Sequence, residues 1–186
     1  IVALLLVTTY SGLVAGSKAW PSASLTFWTL LGGTLAAAGS SALNQYIDRE
    51  LDKNMQRTAK RPLADGRLTA AEGLSYGLAL SLISYYVMAG YVNLLAALLS
   101  LAGIFYYVIF YSVLLKKATV QNIVIGGGAG AIPPMVGWAA ATGHLGLAAW
   151  ILFAIVFMWT PPHFWALAIV RMKDYEKAGV PMMPVV

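Results

Sequence analysis

The fold this sequence predicts is all-α: a polytopic bundle of transmembrane helices. Three observations lead there. The 186 residues are 60% hydrophobic and only 10% charged, with a mean hydropathy of +0.74, whereas a soluble domain carries about 25% charged residues. Six apolar runs each approach the length that a bilayer core of roughly 30 Å demands at about 1.5 Å per residue. Along an alternating six-span path, every basic residue except Lys18 falls on one side.

The runs cover about 1–17, 24–44, 71–90, 92–115, 120–141 and 147–169. The first starts apolar at once. No basic segment precedes it and no A-x-A-like site follows it, so a cleaved signal peptide is a poor fit. The chain opens on Ile1 and stops at "GVPMMPVV", so the expectation is a single domain over 1–186, truncated at both ends. The second run closes on "NQYIDRELD". The third opens with Thr69 and Glu72 at capping-box spacing, which assigns Glu72 a structural role. In the fourth, "FYYVIFY" and "YSVLL" read as interface belts or lipid-facing filler. The fifth carries Gly126 to Gly130, a small face for close helix contact, because a phosphate-cradling loop would sit inside the membrane. Pro133–Pro134 and Pro161–Pro162 should kink the fifth and sixth helices.

Orientation follows from the basic residues. The segments at about 45–70, 116–119 and 170–186 are assigned to the cytoplasm. Positive-inside bias then accounts for the net charge of +5, and no nucleic-acid partner is implied. Cysteine is absent, which removes a disulfide framework and thiolate chemistry.

Asn44, Asp48 and Asp52 recur every fourth residue. On a helix they stand at 0°, about 40° and about 80°. A solvated helix end would explain them, and Glu50 on the other side fits that reading. Two carboxylates at i,i+4 repel, however. A hard divalent cation would turn the repulsion into ligation, and Mg²⁺ typically joins one or two carboxylates to substrate phosphates. Arg57, Lys60, Arg61 and Arg67 follow within about fifteen residues; their forks and ammonium suit phosphate oxygens. A second basic and acidic cluster, "RMKDYEKAG", follows the sixth span. Both clusters should lie at one face of the membrane and converge. His163 lies about 12 Å along the helix from Arg171, a depth at which an unpartnered histidine is costly. His144 lies in a short turn and is read as solvated.

"NQYIDRELD" with "MQRTAKRPLADG" resembles the first aspartate motif of the UbiA superfamily of membrane prenyltransferases. "NIVIGGGAGAIPPMVGWAAATG", "WTPPHFWALAI" and "RMKDYEKAGVPMMPVV" resemble its protoheme IX farnesyltransferase branch. The resemblance runs from about Ser41 to Val186. It implies a fold of nine helices around a central cavity, of which about six are present. It also implies a prenyltransferase that moves the farnesyl group of farnesyl diphosphate to a vinyl group of heme B, giving heme O, with Mg²⁺ assisting loss of diphosphate.

By carry-over, Asn44, Asp48, Asp52 and Asp174 are the metal ligands; position 178 is Ala, where relatives often have a further acid. Asp48, Asp52, Arg57 and Arg61 are assigned to catalysis. Arg57, Lys60, Arg61, Lys116, Lys117, Asn122, Arg171 and Lys173 are assigned to the diphosphate. His163, Trp159 and Trp165 are assigned to the heme acceptor, with His163 free to meet iron, a propionate or a carbonyl released by the prolines. The partners implied are farnesyl diphosphate, heme B, the lipid bilayer and a downstream heme A synthase. A bacterial plasma membrane is placed ahead of the mitochondrial inner membrane. The alternative is a related enzyme with an aromatic or quinone-precursor acceptor. A transporter or structural subunit ranks lower, because the acids gather at one face and none lies at the midplane.

Overall fold

The computed structural model describes residues 2–116 and 118–172, and every regular element among them is helical. The order is α1 (Val2–Gly16), α2 (Ala23–Asp52), α3 (Ala70–Tyr91), α4 (Leu94–Phe105), α5 (Asn122–Thr142) and α6 (Leu147–Val170). A π-helical segment, Tyr106–Leu115, continues α4 without a break. The six expected helices are present, and the bundle is a multi-pass membrane architecture. Four segments are long and apolar enough by themselves to cross a bilayer: α3, Leu94–Leu115, α5 and α6. The described part of α1 has only 15 residues. α2 has 30, but Gly, Ser and Thr dilute its apolar content and its last two turns carry the acids. The helix therefore extends past the apolar run predicted at 24–44, and the loop after it is shorter than 45–70.

Local chemistry sets the ends. Ser22 caps α2 by accepting from the Leu25 amide at 3.2 Å. Thr69 and Glu72 form the expected capping box: the Thr69 amide donates to Glu72 Oε2 at 2.8 Å, and the Glu72 amide to Thr69 Oγ1 at 3.3 Å. Asn93 does two jobs. Its Oδ1 accepts from the Ala96 amide at 2.8 Å, starting α4, and its Nδ2 donates to the Ala139 carbonyl at 2.8 Å, tying that start to the end of α5. Both proline pairs lie inside helices that run on past them.

Lipid tails are as apolar as leucine, so membrane helices associate through close packing of small residues rather than through hydrophobic exclusion from one another. The α1–α5 contact shows this. A Cβ placed on Gly137 would stand 1.9 Å from the Thr9 carbonyl oxygen, and one on Gly12 would stand 2.1 Å from that of Pro134. Two clusters then mark the two ends of the bundle. One gathers Leu13, Met88, Ala96, Ala97, Val136, Ala139 and Ala140. The other joins Leu51 of α2, Ile123 of α5 and Ala168 of α6, with Tyr111 and Phe164 against them. The second cluster brings the acid-bearing end of α2 beside the start of α5 and the end of α6.

Gly137→Ala should therefore lower the melting temperature in detergent or nanodiscs, with an overpacking cost of about 1–3 kcal/mol. Gly130→Ala should not, because no heavy atom lies within 4 Å of a Cβ there.

Candidate active site

The site begins at the end of α2. Asp48 and Asp52 are only 3% and 2% exposed, and Asn44 is 7% exposed. All three share one helix face, as their spacing requires. They do not form a solvated helix end. That role falls to the opposite face, where Lys53 Nζ pairs with Glu50 at 2.8 Å and Arg49 lies over the Tyr46 ring.

Each buried carboxylate has its own cation. Arg61 Nη1 meets Asp52 Oδ2 at 2.8 Å. The segment 53–69 arranges this by folding back in successive turns. Thr58, 1% exposed, donates its hydroxyl to the Asp52 carbonyl at 3.2 Å. Met55, Leu63 and Ala64 are buried beneath the turn. At the tip, Gly66 takes a left-handed φ of 83°, a conformation glycine adopts without strain. Arg67 clips this tip by donating Nε to Asp65 at 2.7 Å and Nη2 to the Lys60 carbonyl at 2.8 Å. Arg67 is thus occupied in shaping the loop. Arg57 and Lys60 are exposed and form no ion pair among the described residues.

The cation on Asp48 comes from far along the chain. Lys116 Nζ pairs with Asp48 Oδ2. The π-helical segment delivers it. Ser112, one turn earlier, donates Oγ to the Tyr107 carbonyl at 3.0 Å, five residues back. The same Oγ accepts from Asn44 Nδ2 at 2.8 Å, and Asn44 Nδ2 also donates to Asp48 Oδ2 at 2.9 Å. The NH₂ group of Asn44 thus faces the carboxylate, and its Oδ1 accepts no hydrogen bond among the described residues. Asn122 donates Nδ2 to the Lys116 carbonyl at 3.2 Å, so it steadies the base of the lysine. Tyr107 and Tyr111 stack at 5.7 Å between centroids, and Tyr107 lies within electrostatic reach of Asp48, Arg61, Asp52 and Arg57. Of "FYYVIFY", Phe105 and Phe110 are exposed, whereas Tyr107 and Tyr111 turn toward the site rather than serving as filler. Ser112 and Tyr107 were not picked out from the sequence. The available signal was a serine in an apolar run, one helical turn before a lysine.

The glycine run does supply a packing face. A Cβ on Gly126 would strike the Tyr111 ring, one on Gly127 would meet Thr160 of α6, and one on Gly128 the Tyr106 hydroxyl. Arg171 caps α6 at the same end of the bundle. Lys117, Lys173 and Asp174 lie outside the described residues. Trp159 and His163 are exposed and stack at 4.3 Å, away from the α6 face that packs on α5. Trp165 sits on another side of α6, and its buried indole Nε1 finds no acceptor among the described residues.

Chemically, the donors suit a hard divalent cation. Among the described residues, Oδ1 of Asp48 and Oδ1 of Asp52 accept no hydrogen bond, which leaves one carboxylate oxygen of each open. Among the described residues no group of three or more acidic, cysteine or histidine side chains forms a metal cage, but Mg²⁺ does not ask for one; it commonly takes one or two carboxylates and completes its shell with water and phosphate.

Known proteins resemble this chain over most of its length. The UbiA prenyltransferase family matches residues 5–186. The protoheme IX farnesyltransferase of Roseiflexus sp. (strain RS-1) is 52% identical over 186 residues, 100% of this chain and 35% of that protein. That of Gloeobacter violaceus is 53% identical over 183 residues, 98% of this chain and 60% of that protein. The chain thus spans from about a third to three-fifths of the length of these curated relatives. Among solved structures, an apo UbiA homologue from Aeropyrum pernix K1 superposes with a TM-score of 0.81 at 21% identity, covering 98% of this chain and 68% of that one. A UbiA homologue from Archaeoglobus fulgidus bound to DMAPP and Mg²⁺ gives 0.76 at 20% identity, covering 99% and 66%.

Removing a partner from a buried ion pair leaves an uncompensated charge. Arg61→Met should therefore destabilise the protein by about 1–3 kcal/mol in a denaturation series. Adding Asp52→Asn should recover part of that loss, and a double-mutant cycle with no coupling would show the pair to be energetically idle.

Proposed function

The chain belongs to the UbiA prenyltransferase family, and from that premise we propose that it carries the prenyl diphosphate site of a protoheme IX farnesyltransferase. The observation that carries the proposal is the pair of buried carboxylates, Asp48 and Asp52, each with a basic side chain beside it and one oxygen left open. Identity of about 52% to curated protoheme IX farnesyltransferases over the whole chain supports the acceptor. The solved relative bound to DMAPP and Mg²⁺ supports the donor class and the metal.

In this reading Asp48 and Asp52 hold Mg²⁺, with Asn44 orienting Asp48 and Asp174 completing the second motif. The bound ion would neutralise diphosphate oxygens as charge builds on the leaving group. Lys116, Arg61, Arg57, Lys60 and Arg171, with Lys117 and Lys173, bind the remaining phosphate oxygens and share that charge. Asn122 keeps Lys116 in place. The bond between C1 of the farnesyl group and the diphosphate oxygen breaks, and the electron pair leaves with the diphosphate. The terminal carbon of a heme vinyl group bonds to C1. The cation then left next to the porphyrin takes hydroxide from water, and the water's second proton is released.

On the acceptor side, Trp159 and His163 would present exposed aromatic surface to a porphyrin, whereas Trp165 lies on another side of α6 with its indole N–H buried and is not placed against the same ring. The protein would act in a bacterial plasma membrane and pass heme O to a heme A synthase. The basic end of the bundle would be cytoplasmic.

The test is product analysis with the full-length protein, heme B, farnesyl diphosphate and Mg²⁺. Heme O is the expected product. A prenylated hydroxybenzoate in its place would assign the aromatic-acceptor alternative and keep the donor site. Asp48→Asn and Asp52→Asn should each lower turnover at least about a thousandfold, equivalent to ~4 kcal/mol of transition-state stabilisation. Near-normal turnover in either would remove that carboxylate from the metal. His163→Ala should weaken heme binding, followed by the Soret band, and leave farnesyl diphosphate affinity unchanged; equal heme affinity would return His163 to a structural role.

A further inference from the structure

We propose that Lys116 and Arg61 are resident counter-ions of Asp48 and Asp52, and that they hand over these carboxylates to a divalent cation only when diphosphate is present to receive them. The proposal rests on the metal–diphosphate reading above and goes beyond it. It makes the two ligands bind as a pair and gives Lys116 a task before any substrate arrives.

The argument starts from burial. Asp48 and Asp52 have side chains only 2% and 3% exposed, and a buried anion without a cation is strongly disfavoured. Lys116 and Arg61 meet that need in the absence of ligand. Their own side chains are 15% and 28% exposed, more than the carboxylates they meet. A divalent cation arriving alone would have to share each carboxylate with a like-charged neighbour in a medium where such repulsion is poorly screened. A diphosphate offers the ammonium and the guanidinium a new set of oxygens. Each ligand thus removes an obstacle to the other.

The surroundings of Lys116 suit an exchange of this kind. Its backbone is fixed, the amide donating to the Tyr111 carbonyl at 2.9 Å and the carbonyl accepting from Asn122 Nδ2 at 3.2 Å. Only the flexible stem is free to swing. Asp48 is fixed too, because Asn44 Nδ2 bridges Asp48 Oδ2 and Ser112 Oγ. Ser112 is a positioning residue here: it holds the amide that holds the carboxylate, so Asp48 keeps its place when Lys116 leaves.

Coupling between two ligands is reciprocal, and factors of about 5–150 are typical. The experiment titrates Mn²⁺ into the full-length protein in nanodiscs, followed by electron paramagnetic resonance, with and without inorganic diphosphate. In the wild type, diphosphate should tighten Mn²⁺ binding by a factor in that range. In Lys116→Met, Mn²⁺ alone should bind more tightly than in the wild type, and the gain on adding diphosphate should shrink. Lys116→Arg should restore the wild-type pattern. If Lys116→Met does not fold, Lys116→Gln carries the same expectation with a polar end group. A folded Met or Gln variant that binds Mn²⁺ alone no more tightly than the wild type overturns the exchange. A wild type that binds no Mn²⁺ even with diphosphate overturns the underlying metal–diphosphate reading instead, and the two failures are distinguishable.

Discussion

Two carboxylates buried one helical turn apart need positive charge brought to them, and the chain around them is arranged accordingly. Asp48 and Asp52 stand on α2 inside a bundle that is mostly apolar. An isolated ion transferred to such surroundings would shed its charge by taking up a proton. Asp52 has Arg61 at 2.8 Å, which obliges the loop to double back within nine residues. Asp48 has Lys116, 68 positions away, which obliges the end of the π-helical segment to approach the end of α2. The loop path, the helix register and the contact between α2 and the π-helical segment can all be understood from this one electrostatic requirement.

The requirement can be met because the helices approach one another closely. Gly12 and Gly137 bring α1 against α5, and Gly126 to Gly128 admit tyrosines of the π-helical segment and Thr160 of α6. Close approach shortens the reach of side chains between helices. Asn44 can touch Ser112, and Asn93 can touch Ala139, without long or strained geometry. Packing and polar contacts are therefore not separate layers of the fold. The small residues set the distances over which the polar ones act.

Much of this was legible in the sequence, for identifiable reasons. The shared face of Asn44, Asp48 and Asp52 follows from helical periodicity alone. The capping box at Thr69 and Glu72 is a local pattern with a local result, and so is the glycine face of α5. What was not legible is non-local. Nothing near Asp48 announces Lys116, and a count of basic residues does not say which meets which acid. Arg67 and Arg61 look equivalent in "RPLADGR", yet Arg67 is occupied at the loop tip while Arg61 turns to Asp52. The π-helical segment has no composition of its own; "YYVIFYSVLL" fits an α-helix equally well. The segment 45–70 was assigned wholly to a loop, although the helical spacing of Asn44, Asp48 and Asp52 already carries α2 to Asp52.

That π-helical segment also bears on how the protein can vary. A π-helix closes its hydrogen bonds over one more residue than an α-helix, and such turns recur at functional sites. Tyr106–Leu115 makes ten residues of it, so the direction in which Lys116 leaves the helix depends on how many residues precede it. A bilayer tolerates a span one residue longer or shorter, since helices tilt to match its thickness. The ion pair does not: one residue gained or lost turns the lysine by roughly a quarter turn around the axis. In lineages carrying this pair, the length of the segment should drift far less than the identity of its apolar residues, and single-residue insertions there should be rarer than substitutions.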